Sequence, residues 1–192
     1  MRTPSPLRRL AAPLLVATVL SWGATACGHP RRPTVVAVPG SSVRGVAATV
    51  THVVDGDTVD LAIAGGGAER ARLLGIDTPE TVKPNTPVQC FGPEASARTK
   101  ELLPARTAVV VQRDREARDR YGRLLLYVWR RDDGLFVNAA LVADGFARTL
   151  SIAPNRAHAA DLAAAAADAR RRRAGLWGSC AGDHADQAGP GG

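Results

Sequence analysis

The feature that most limits what this chain can become is a crowded run of β-forming segments between residues 43 and 76, with no interval long enough for a helix. Residues 43–54 are rich in β-branched side chains, Thr58–Ile63 alternates Val, Leu and Ile with small or polar partners, and residues 69–76 continue the style. Asp55-Gly56 breaks the first junction and Gly65-Gly66-Gly67 the second, both as tight turns. Three strands joined this closely form a meander.

The remaining segments fix the fold class. Residues 93–103 open on Pro93, carry good helix formers and stop at Pro104, which predicts a helix. Residues 107–112 and 124–129 read as two more strands, separated by a polar, turn-bearing stretch from 113 to 122. Val137–Ala143 predicts a short helix ended by Gly145, and residues 157–173, mostly Ala, Leu and Arg, predict a longer one. Five strands with a helix after the third and helices at the end suit an α+β, mainly β fold: a five-stranded OB-fold Greek-key barrel with about three helices. An open α+β sandwich is the alternative.

The chain ends are of another kind. Residues 1–26 read as an export signal: Arg2, Arg8 and Arg9 give a positive start, residues 10–22 an apolar run too short to span a bilayer, and Ala24-Thr25-Ala26 a small-residue cleavage site. The whole chain carries 25 basic and 18 acidic residues; without the three signal arginines the balance is 22 to 18, a net charge of +4. So small an excess favours phosphate-bearing partners and serves solubility equally. Cys27 directly follows Ala26 in a pattern that resembles the lipobox of bacterial lipoproteins, although Ala24 stands where Leu is usual. The expectation is an exported protein, held on the outer face of the cell membrane as a lipoprotein through Cys27 or secreted after cleavage at Ala26. Three cysteines in an oxidising compartment leave one over, so a lipidated Cys27 pairs naturally with a Cys90–Cys180 disulfide; two buried thiols are the other option. Residues 27–42, rich in Pro and Arg, read as a tether, 43–180 as the folded domain and 181–192 as a flexible tail.

Three clusters carry the chemistry. Asp57 follows the Asp55-Gly56 turn at a strand start, which by itself is a common hairpin signal with a solvated carboxylate. Arg72 precedes a short apolar stretch that exits into Asp77-Thr78-Pro79-Glu80, two carboxylates three residues apart; a turn cap and a surface ion pair would explain these too. Asp119-Arg120-Tyr121-Gly122-Arg123 leads into the fifth strand, and alone would be a salt-bridged turn. Three loops that together deliver three carboxylates and two guanidinium groups are poorly explained as separate accidents.

The runs Asp55-Gly56-Asp57-Thr58-Val59, Arg72-Leu73-Leu74, Asp77-Thr78-Pro79-Glu80-Thr81, Gly92-Pro93-Glu94-Ala95-Ser96-Ala97 and Tyr121-Gly122-Arg123 resemble the staphylococcal nuclease, or thermonuclease, family in order and approximate spacing. The resemblance implies the same barrel and a calcium-dependent phosphodiesterase that cuts DNA and RNA as a monomer and leaves 3′-phosphates. Carried over by position, Asp57, Asp77 and the carbonyl of Thr78 would be calcium ligands, Glu80 the general base, and Arg72 and Arg123 the phosphate-bracing cations. Tyr121 would pack near phosphate or sugar, with a half-buried turn tyrosine as the plainer reading. The chain departs from the pattern at Leu150-Ser151-Ile152, where the family places two tyrosines against the base. Base stacking contributes roughly 1 to 3 kcal/mol, so their loss weakens grip on the substrate and leaves the chemistry alone. Arg170 to Arg173 suit the C-terminal end of a helix, His52 and His158 belong to no motif, and Trp177 reads as a plug for the last segment. The competing functions are a catalytically silent OB-fold lipoprotein that binds nucleic acid or another polyanion, and a structural envelope lipoprotein.

Overall fold

The computed structural model describes residues 34–81 and 87–180, so the export signal, Cys27 and the tail lie outside the described residues. The expected tether does not extend to residue 42. Val35–Ala37 form strand β1, antiparallel to residues 44–46, and Val38 behind it is buried. The apolar Val-Val-Ala-Val sequence within that Pro- and Arg-rich stretch finds a sheet edge to cover.

The meander is β2 (Arg44–Val53), β3 (Thr58–Ile63) and β4 (Ala68–Leu73), with Val50 opposite Leu61 and Thr58 opposite Arg72. Ala48 and Val50 face inward along β2. A bulge at Thr51 then shifts the register so that Val53 returns to the core and His52 faces solvent beside Asp60. The segment expected as one strand from 69 to 76 is broken at Gly75, whose φ of 77° is open to glycine at little cost. Beyond the break, Ile76–Asp77 form β5, which leaves the barrel.

Helix α1 (Gly92–Leu102) follows, with Pro93 in its first turn and Leu102 and Leu103 driven into the core. Strands β6 (Ala108–Gln112) and β7 (Leu124–Arg130) are antiparallel to each other; β6 pairs with β2, and β7 pairs in parallel with β4. The order β2-β3-β4-β7-β6 with the β2–β6 pairing closes a five-stranded barrel, the OB-fold Greek key read from the sequence. Val59, Leu61, Leu73, Val109, Val128 and Leu141 fill it, all buried. Each such side chain contributes roughly 1.5 to 3 kcal/mol on leaving water.

Helix α2 (Val137–Ala143) packs on the barrel through Leu141 and through Asn138, whose Oδ1 accepts from the Val128 N–H and whose Nδ2 donates to the Leu74 carbonyl. Strand β8 (Arg148–Thr149) pairs with β5, placing Arg148 opposite Asp77. Helix α3 (Ala159–Arg172) starts two residues later than expected because the Ala157 N–H is drawn to the Asp114 carboxylate at 2.8 Å. Arg171 and Arg172 at its end pair with Asp168, and Arg172 also donates to the Ala143 carbonyl, as suits cations at a helix C-terminus. His158 is half-buried with its ring edge-on to Tyr127 at 4.5 Å. A one-turn helix α4 (Leu176–Ser179) ends the described chain; its plug is the fully buried Leu176, while Trp177 lies beside the Arg170 guanidinium. Cys90 and Cys180 are joined as a disulfide.

Candidate active site

The turn from β2 to β3 carries Asp57 into the barrel wall. Gly56 makes this fit: a Cβ there would stand 2.5 Å from Thr78 Oγ1, so only glycine lets the turn close on Thr78. Thr99 of α1 holds the same turn by donating its hydroxyl to the Gly56 carbonyl at 2.7 Å. Asp57 is 2% exposed and saturated with donors. Its Oδ1 accepts from Arg72 Nη1 and Thr58 Oγ1, and its Oδ2 accepts from the Thr78 N–H at 3.1 Å and Thr78 Oγ1 at 3.2 Å.

The Gly75 break gives the second carboxylate its place. Arg72 projects from β4, and the chain returns through β5 so that Arg72 Nη2 donates to Asp77 Oδ1 at 2.7 Å and to the Ile76 carbonyl at 3.3 Å. Asp57 and Asp77 thus meet on one guanidinium. Burial, with help from the Asp55 and Asp77 charges, pushes the Asp57 carboxyl up to about 6 in spite of Arg72 and the Thr78 N–H. Burial opposes the charge on Arg72 as well, but the two aspartates overcome it and hold the group firmly protonated.

Across a cleft of about 850 Å3 stands the loop between β6 and β7. Arg72 and Asp77 line one side; Tyr121 and Arg123 line the other. Asp119 organises the loop, its Oδ1 accepting from the N–H groups of Tyr121 and Arg123 and its Oδ2 from Arg123 Nε at 2.7 Å. Arg118 braces it with a two-point pair to Glu69 and a bond to the Gly122 carbonyl. The Arg123 Nη groups have no hydrogen-bond partner among the described residues. Tyr121 is 68% exposed, with the Arg120 and Arg123 guanidinium carbons 4.8 and 5.5 Å from its ring centre.

Of the residues assigned catalytic, metal or substrate roles from the sequence, Asp57, Arg72, Asp77 and Thr78 form the knot and Tyr121 and Arg123 stand on the cleft, which leaves Glu80 outside both. Glu80 does not line the cleft; its Oε1 accepts from the Thr81 N–H at 2.9 Å. Sequence reasoning missed the residues that hold the site in place. Asn155 is buried on the cleft with its Oδ1 accepting from the Glu116 N–H, Asn138 supports the turn at Leu74, and Gln89 binds the Glu80 backbone. The only available hint was the Pro154-Asn155 step before the last helix. Leu150 and Ile152 are exposed on the cleft rim, which carries aliphatic side chains there.

Among the described residues no group of three or more His, Cys, Asp or Glu is placed to hold a metal ion. The charge of the site, rather than a ready ligand shell, suits a hard divalent cation: each Asp57 oxygen already accepts two hydrogen bonds, so Asp57 must release at least one of them to bind it. Asp55, Asp57 and Asp77 bring oxygens only, and three carboxylates act on a single guanidinium, leaving negative charge to be neutralised.

The family model described as staphylococcal nuclease homologue matches residues 70–179, a span that contains Arg72, Asp77, Thr78, Glu80 and Arg123. The chain is 42% identical to the thermonuclease of Staphylococcus intermedius over 137 residues, which is 71% of this chain and 79% of that protein. It is 39% identical to the thermonuclease of Staphylococcus hyicus over 128 residues, 67% and 73% of the two chains. With endonuclease YncB of Bacillus subtilis (strain 168) it shares 35% identity over 130 residues, 67% of this chain and 60% of that one. With the barrel, the motif order and these matches in agreement, the chain belongs to the staphylococcal nuclease family.

Proposed function

We propose that this nuclease fold hydrolyses the phosphodiester bonds of DNA and RNA with the help of calcium, leaving 3′-phosphate ends. The observation that carries the reading is that one guanidinium, Arg72, joins Asp57 and Asp77 while Arg123 lines the same cleft. The relatives bearing the names thermonuclease and endonuclease support it.

Asp57, Asp77 and the carbonyl of Thr78 are the groups to hold calcium, which when bound neutralises phosphate charge next to the carboxylates. Glu80 takes a proton from the attacking water or orients it, a role that requires its carboxylate to turn from the Thr81 N–H toward the cleft lined by Asp77. Arg123 offers its open Nη groups to phosphate oxygens, and the planar fork of Arg72 meets the same anion from the barrel side. Tyr121, exposed between two arginines, packs near the phosphate or sugar. The export signal at 1–26 and the lipobox-like Cys27 extend the proposal to a monomer on the outer face of the membrane, or one released from it; mass spectrometry of the mature N-terminus distinguishes the two.

The test is cleavage of single-stranded DNA by the purified chain with calcium. Loss of cleavage on adding a chelator, with 3′-phosphates on the products, is the expected result. Cleavage that survives chelation would overturn the calcium role. Tight binding without cleavage would favour the silent polyanion-binding barrel.

A further inference from the structure

The backbone of Glu80 is gripped on both sides by one residue that no motif singled out. Gln89 Oε1 accepts from the Glu80 N–H at 2.8 Å, and the Gln89 N–H donates to the Glu80 carbonyl at 3.0 Å. The head of α1 closes on the same point: the Gly92 N–H donates to the Gln89 carbonyl, and a Cβ at Gly92 would lie 3.0 Å from the Glu80 carbonyl oxygen. Two neutral hydrogen bonds hold weakly by themselves, because water competes for each partner.

The neighbouring residue changes this. Cys90 is bonded to Cys180, which is buried at the end of α4, where Leu176 is fully enclosed and its N–H donates to the Gly145 carbonyl. One residue further on, Phe91 has φ of 69° and stacks on Phe146 with ring centres 5.2 Å apart. A left-handed backbone at a non-glycine residue persists where its surroundings fix it from several sides.

We infer that Gln89 is a positioning residue for Glu80, and that the Cys90–Cys180 disulfide acts on the reaction through it by fastening the Gln89 clamp to the body of the protein. This rests on the reading of Glu80 as general base. A dithiol such as dithiothreitol opens the link: it delivers two electrons and two protons, leaves two cysteine thiols, and closes into its own disulfide. The barrel core and the Arg72 knot contain neither cysteine, so the loss falls on turnover rather than on substrate binding.

The experiment is a double-mutant cycle on the full chain with calcium and single-stranded DNA, read as kcat and KM well below the melting temperature. Its members are Gln89→Met, Cys90→Ser with Cys180→Ser, and their combination, with Glu80→Gln as reference. Each of the first two should lower kcat about tenfold with KM unchanged, the effect of a small misplacement of a reacting group. Their combination should be no slower than the slower of the two, because both act through one clamp. Gln89→Glu, which keeps the acceptor oxygen, should recover most of the rate. Dithiothreitol should bring the parent chain to the rate of the cysteine-free variant, which itself should not respond. Unchanged kcat in Gln89→Met, a loss seen only in KM, or multiplying losses to about a hundredfold in the combination would overturn the inference. Should the cysteine-free variant fail to fold, Gln89→Met and Gln89→Glu still decide it with the disulfide intact. If Glu80→Gln itself turns over normally, the general-base assignment is what fails.

Discussion

Arg72 projects from a barrel strand into three acceptors, two of them carboxylates, whereas Arg123 stands at the end of a loop with its guanidinium bonded to Asp119 through Nε alone. The two guanidinium groups line one cleft and have the same chemical means, yet their surroundings divide their work. Arg72 holds the countercharge of a buried aspartate, so the barrel side of the site belongs to the fold. Arg123 and the exposed Tyr121 belong to a loop that Asp119 and Arg118 hold in shape, with Nη groups left open to a ligand. Preorganisation and stability coincide on one wall and separate on the other.

The largest effect should come from Arg72→Ala. It leaves Asp57 buried without its cation, a change that typically costs about 3 to 5 kcal/mol when a buried pair is broken. Turnover should fall by about a thousandfold, at the upper end for losing a preorganised donor. Arg72→Lys keeps the charge and loses the fork, so it should regain stability and little turnover. Denaturant melts beside single-turnover rates read both quantities; a stable Arg72→Ala protein would remove the distinction between the walls.

Arg123→Ala should show the opposite balance. We expect turnover to drop about a hundredfold, as for loss of one transition-state donor, with unfolding free energy changed by less than about 1 kcal/mol. A large stability loss would mean that the loop wall is as structural as the barrel wall. Gly56→Ala sharpens the same contrast from a position with no chemistry of its own. Its methyl group meets Thr78 at 2.5 Å, so Thr78 and Asp57 must shift, and we predict about a tenfold slower reaction with KM little changed.

Much of this was legible in the chain, and the exceptions share a cause. The meander, α1, the β6–β7 pair and α2 all have enough residues to show a period or a stop signal. Strands β1, β5 and β8 and helix α4 have two to four residues each, too few for any period, and exist because the barrel offers them an edge or a hollow. The side chains proposed to act on substrate could be read from motifs because each sits where its type would be chemically required. Gln89, Asn138 and Asn155 could not, since amide side chains that bind backbone groups leave no pattern in spacing and acquire meaning only through partners that the fold brings to them.

Tyr121→Ala should have a smaller effect and one confined to binding. An exposed ring packed near phosphate or sugar contributes no more than the lower end of the range for base stacking, roughly 1 kcal/mol, so KM should rise about fivefold with kcat steady. If kcat falls with it, the ring is holding Arg123, whose guanidinium carbon lies 5.5 Å from its centre, and the loop is less independent than the contrast requires.

The smallest expected effect is an acid-limb difference at Asp119. Burial alone would raise its carboxyl, but the Arg123 guanidinium and the N–H groups of Arg123 and Tyr121 outweigh it and bring the folded value below the ordinary 3.8. The unfolded chain therefore binds the proton first as pH falls, so Asp119 stabilises the fold above 3.8 and loses this contribution as pH drops through its lower folded value. Asp119→Asn should accordingly be less stable than the parent by under about 1 kcal/mol near neutrality, as befits a partly exposed pair. The gap should close at the acid end, where thermal melts of the two proteins should converge. A gap that stays constant to low pH would mean that Asp119 supports the loop by the shape of its hydrogen bonds and not by its charge, and that the loop wall is organised without electrostatics.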